Sequence, residues 1–74
     1  MHTDMLVRMV NQIGDFFQAM PDREEALEGI AMHLKKFWEP RMRRELLAHV
    51  DAEAGAGLHA LVAEAITRHR ALLN

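Results

Sequence analysis

The chain has 74 residues, half of them hydrophobic and 27% charged, and a formal net charge of −2 with histidine neutral. That length sets a single domain, residues 1–74, and the composition is that of a folded chain, not a disordered one. The mild acidity argues against a general nucleic-acid binder, and the lack of cysteine excludes disulfides and thiolate metal sites.

A domain of this size buries only about 60% of its unfolded surface. Its core supplies roughly 3–5 kcal/mol of net stability, so a partner protein is the expected further support. No apolar run approaches the roughly 18–20 residues that span a bilayer. The Met-His-Thr-Asp start lacks the basic and apolar segments of a secretory signal. A soluble, cytoplasmic protein is the expectation.

The pattern predicts an all-α fold, a small bundle of four short helices over about residues 4–20, 23–38, 40–51 and 58–72. The first opens at Thr3 or Asp4, either of which can cap free N–H groups. Leu6, Met9, Val10, Ile13, Phe16, Phe17 and Met20 then keep helical spacing and form one apolar stripe. Gly14 interrupts that stripe, either as a tolerated glycine or because another helix comes close there.

Pro21 closes the first helix. Asp22 and Glu25 match a capping box in its aspartate form. The second helix buries Leu27, Ile30, Ala31, Leu34, Phe37 and Trp38, with Glu24, Glu25 and Glu28 near its start and Lys35 and Lys36 near its end. Each sign complements the helix dipole.

Pro40 forces a break yet suits the first turn of a new helix. The third helix turns Met42, Leu46, Leu47 and Val50 inward and ends before the turn at Gly55 and Gly57, unless the intervening alanines prolong it. The fourth places Leu58, Leu61, Val62, Ala65, Ile66 and either His69 or Leu73 inward, with Glu64 and Arg68 paired four residues apart. Short connections make sequential helices antiparallel neighbours, except that the second and third, hinged at Trp38-Glu39-Pro40, can meet steeply.

No reaction centre is visible. The five histidines, His2, His33, His49, His59 and His69, lack the spacing of a metal-binding helix and read as solvated or core-edge residues. Thr3 and Thr67 are the only side-chain aliphatic hydroxyls, so a serine or cysteine triad is excluded. Gly55 and Gly57 lack the strand and third glycine of a dinucleotide fold. Met9, Met20 and Met42 fit core stripes, whereas Met5 and Met32 are less clearly inward.

The distinctive stretch is KKFWEPRMRREL, residues 35–46. It holds the single tryptophan and five of the nine Lys/Arg residues, beside one proline. In one reading Trp38 is core and the arginines are solvated. In the other, Phe37 or Trp38 anchors a partner protein while Arg41 and Arg44, three residues apart, bind its carboxylates; tryptophan and arginine carry much interface energy. Lys35 and Arg43 complete that candidate interface, with Arg43 pointing away from the other two.

Residues 6–46, with the blocks MVNQIGDFF, IAMHLKKFWEPRMR and a following ELLAHVD, resemble the delta subunit of the NAD-dependent, molybdenum-containing formate dehydrogenases. The resemblance implies an accessory subunit without catalysis of its own. It implies a complex whose larger subunits carry a bis(molybdopterin guanine dinucleotide) molybdenum centre, iron–sulfur clusters, FMN and the NAD chemistry. The alpha, catalytic subunit is then the expected partner, and assembly, cofactor loading or stability of the holoenzyme the expected task. No catalytic, cofactor-binding or metal residue is assigned to this chain. Phe37, Trp38, Arg41, Arg43, Arg44 and Lys35 are assigned to the partner interface. The alternatives are a small helical nucleic-acid binder using the basic cluster, a module that pairs with its own copy, and direct contact of the arginines with the phosphates of the molybdopterin cofactor.

Overall fold

The computed structural model describes residues 2–74. Five helices follow in order: α1 (Thr3–Phe17), α2 (Arg23–Phe37), α3 (Pro40–Glu53), α4 (Ala60–Arg68) and α5 (Arg70–Leu73). The all-α expectation holds, but the count is five. The last predicted helix is broken at His69, whose φ of −114° and ψ of 27° interrupt the helical ladder. The break turns the short α5 so that Leu73 enters the core while His69 is only half-buried.

Local signals explain most boundaries. Asp22 caps α2 by accepting bonds from the N–H groups of Glu24 (2.9 Å) and Glu25 (3.3 Å). Pro40 occupies the first turn of α3, where its missing N–H is harmless. Two expectations are corrected. His2 takes the cap position of α1, without a side-chain bond, so Thr3 and Asp4 lie inside the helix. The same helix ends at Phe17, not at residue 20, and Gln18 to Met20 close it as a turn.

The alanines after Asp51 do prolong α3, as far as Glu53. Ala54 then adopts the left-handed conformation at φ 54°, a position that disfavours a side chain by about 1–2 kcal/mol.

Leu6, Val10, Leu27, Ile30, Leu34, Leu46, Leu61, Val62 and Ile66 form the centre of the core. α2 is its axis and packs most extensively on α4, with α1 and α5 beside it. α3 leans chiefly on α1, so chain neighbours are not all spatial neighbours. Ion pairs tie the helices at the rim. Arg23 binds Glu64, and Arg68 bridges Glu24 (2.6 Å) and Glu64 (3.3 Å), the second being the pair expected within α4. Arg70 grips both oxygens of Asp51 at 2.7 and 2.8 Å. The bonds from Arg70 and Arg23 hold the Asp51 and Glu64 carboxyls below their ordinary pKa values.

Gly14 marks a close helix crossing. A Cβ there would lie 2.6 Å from Cγ2 of the fully buried Val62. Gly14→Ala gains up to about 1 kcal/mol of helix propensity but overpacks the α1–α4 contact, which costs about 1–3 kcal/mol. The expected result is net destabilisation, relieved by adding Val62→Ala, as read by urea denaturation of the four variants of the cycle.

Candidate docking surface at the elbow

The elbow between α2 and α3 is built from three backbone facts. Phe37 ends α2, Trp38 and Glu39 are both extended, and Pro40 starts α3. The extended pair follows from the proline, which disfavours helical geometry in the residue before it. The Leu34 carbonyl still accepts the Trp38 N–H at 3.1 Å, and the carbonyls that follow it at the end of α2 are left without helical partners.

Arg43 fills that gap. From the first turn of α3 its Nη1 donates to the carbonyls of Leu34 (3.3 Å), Lys35 (3.2 Å) and Trp38 (2.5 Å). Its charge sits against the negative end of the α2 dipole, and the residue is 9% exposed. Arg43 thus acts as a brace within the chain. Trp38 is 6% exposed and belongs to the core cluster, with one side lining a surface groove.

The other predicted elbow residues are on the surface. Phe37 is 72% exposed, and Lys35, Arg41 and Arg44 are exposed. The α2 stripe places Phe37 inward and the anchor reading places it outward; its ring is outward and rests on the imidazole of His33, with centroids 5.0 Å apart. Phe16 is likewise 73% exposed, contrary to its place in the α1 stripe, and meets Phe17 edge to face at 5.2 Å.

Between α1 and α2 lies a groove of about 480 Å³, walled by Met9, Ile13, Phe16, Phe17, His33 and Trp38, with Gln12 at its edge. Gly29 makes the groove's floor possible, because a Cβ there would overlap the Phe17 ring. Apolar side chains at this exposure, gathered beside a concavity, mark interaction surfaces.

The charges are distributed unevenly. Arg23, Arg68 and Arg70 have carboxylate partners and Arg43 has carbonyls. Among the described residues Arg8, Lys35, Lys36, Arg41 and Arg44 make no ion pair. Four of those five cations flank the elbow, where Glu39 is exposed and the half-buried Glu45 follows Arg44.

The histidines have structural surroundings. His59 caps α4 through Nδ1, which accepts from the Leu61 N–H at 3.1 Å, while Nε2 donates to Gln18 Oε1 at 2.6 Å. Asn11 fastens the same segment to α1, donating to the Gly57 carbonyl (2.9 Å) and accepting from the His59 N–H (2.8 Å). Sequence reasoning missed this clamp, since its members lie more than forty residues apart and follow no periodic pattern. Among the described residues no three His, Asp or Glu side chains converge as they would around a metal ion. Among the described residues no helix is long and apolar enough to cross a membrane.

Fold and surface together define a small helical domain with a braced, cation-rich elbow beside an apolar groove. The chain belongs to the family described as "NADH-dependant formate dehydrogenase delta subunit FdsD", whose model matches residues 5–66. The match spans α1 to α3 and most of α4, and so takes in the whole groove and elbow. No curated protein and no solved structure gives a significant match. As a delta subunit of a formate dehydrogenase, the chain has other subunits to bind.

Proposed function

We propose that this chain is a non-catalytic accessory subunit of a cytoplasmic, NAD-linked formate dehydrogenase, and that its elbow docks on the catalytic alpha subunit to aid assembly, cofactor loading or stability of the holoenzyme. The observation that carries the reading is the pairing of the exposed Phe37 with unpaired cations on a rigid base. Trp38 and Arg43 hold that base from inside, so Phe37, Lys35, Arg41 and Arg44 lose little conformational freedom on docking. The molybdenum centre, iron–sulfur clusters, FMN and NAD belong in this reading to the larger subunits. The chain acts by binding one state of the catalytic subunit and stabilising it by mass action.

The test uses surface residues, because changes at Trp38 or Arg43 would confound docking with folding. Phe37→Ala combined with Arg41→Glu and Arg44→Glu is expected to weaken co-purification with the catalytic subunit by at least about tenfold. The molybdenum content of that subunit should fall with it, while the melting curve of the isolated variant stays near that of the parent. Unchanged co-purification and metal loading would remove the elbow from the interface.

A further inference from the structure

The face of α1 beside the groove carries a second pattern. Met5, Met9, Gln12 and Phe16 follow one another at intervals of four, three and four residues, the seam spacing by which one helix presents itself to another. The stripe covers three turns, roughly 16 Å. Met5 is 50% and Phe16 73% exposed, so the chain's own core does not use the ends of the seam.

The flank of that seam is charged in a specific order. Arg8 and Asp15 stand seven residues apart, on the side of the seam away from α2. Both are exposed, and Arg8 has no ion-pair partner among the described residues. Asp15 Oδ1 lies 3.5 Å from Nε2 of His59.

We infer that two copies of the chain pair through antiparallel α1 helices. The stripe is symmetric about its midpoint between Val10 and Asn11. A twofold axis there sets Met5 against Phe16 of the second copy, and Met9 against Gln12. The same operation brings the Arg8–Asp15 flanks of the two helices together, so Arg8 lies within two residues, about 3 Å of helix rise, of Asp15 of the second copy, twice over. Parallel pairing would instead align like side chains and leave the groove unfilled. In the antiparallel arrangement, Met5 of each copy reaches the groove bordered by Phe16 and Trp38 of the other. A thioether chain suits such an irregular apolar recess. Gln12, the one polar residue of the seam, fixes register at some expense in affinity. The contact is small, so the pair is weak, with a dissociation constant on the order of 10 μM.

This pairing is distinct from elbow docking, since Arg41 and Arg44 lie on α3 and play no part in it. It is tested on the full chain by sedimentation equilibrium from about 1 to about 500 μM. A concentration-dependent dimer is expected. Arg8→Asp and Asp15→Arg should each weaken it by about tenfold, because each brings like charges together twice. The double variant should recover the parent's dimerisation, which a structural role of either residue would not restore. The chain has no cysteine, so Met5→Cys with Phe16→Cys gives a clean second readout. Mild oxidation should cross-link that variant into dimers, and Met5→Cys alone should stay uncross-linked. A monomer at every concentration, a charge swap that fails to recover, or efficient cross-linking of Met5→Cys alone would each overturn the inference.

Discussion

Trp38→Ala is expected to leave a large share of the isolated chain unfolded at room temperature. The indole is 6% exposed and closes the core where α2 meets α3, in the same cluster as Leu34, Leu46 and Leu47. Truncating a buried tryptophan to alanine costs about 3–5 kcal/mol, through lost transfer energy and the cavity left behind. A core of this size supplies only about that much in total, so one substitution is enough to consume the margin. Trp38→Phe keeps a ring in the site and should retain a cooperative transition at a lower urea midpoint. Phe37→Ala, one residue away, should shift stability by no more than about 0.5 kcal/mol, as surface changes do. Circular dichroism against urea separates the three variants. A Trp38→Ala chain that melts like the parent would mean that the indole is not a core group.

The contrast between these adjacent aromatics shows where sequence reasoning stops. Leu6, Val10, Leu27, Ile30, Leu34, Leu46, Val62 and Ile66 are all legible as core, because helical periodicity places them at the centre of their stripes. Phe16 and Phe37 obey the same periodicity but lie where helix ends run past their neighbours. A stripe records which face is apolar, not how far along the helix the opposing surface continues. The cap at Asp22 was legible because donor and acceptor are within three residues. The break at His69 was not, since no glycine or proline marks it and the pull of Leu73 into the core is a tertiary effect.

The candidate site divides in the same way. Its location, at the one place where tryptophan, proline and cations coincide, could be read from residues 35–46. The division of labour within it could not. Arginine three residues into an exposed helix reads as solvated, and the roles of Arg41, Arg43 and Arg44 differ only through what Pro40 does to the chain before them. By bending the backbone there, Pro40 brings the carbonyls of the last turn of α2 and of Trp38 within reach of one guanidinium out of three.

Arg43→Met is therefore expected to be the most damaging change among the elbow cations, at about 2–4 kcal/mol. Methionine keeps most of the aliphatic volume, so the loss reports on the three carbonyl bonds and not on packing. The bond to the Trp38 carbonyl is buried, and water cannot readily replace the lost donor there, whereas the Leu34 carbonyl keeps the Trp38 N–H. The corresponding fall in melting temperature is roughly 10–20 °C for a chain of this length. Arg43→Lys should recover part of it, because an ammonium group carries the charge but its shorter side chain does not reach the position of Nη1. Arg41→Met and Arg44→Met should leave the melt almost unchanged, since neither side chain makes an ion pair among the described residues. Salt sharpens the distinction. Raising sodium chloride to about 1 M screens exposed charges and should weaken elbow docking through Arg41 and Arg44, while the shielded Arg43 bonds keep most of their strength. Equal melts for Arg43→Met and Arg41→Met would show that α2 does not need its brace. An unequal pair would establish that one arginine of the elbow serves the fold and leaves its two neighbours free for a partner.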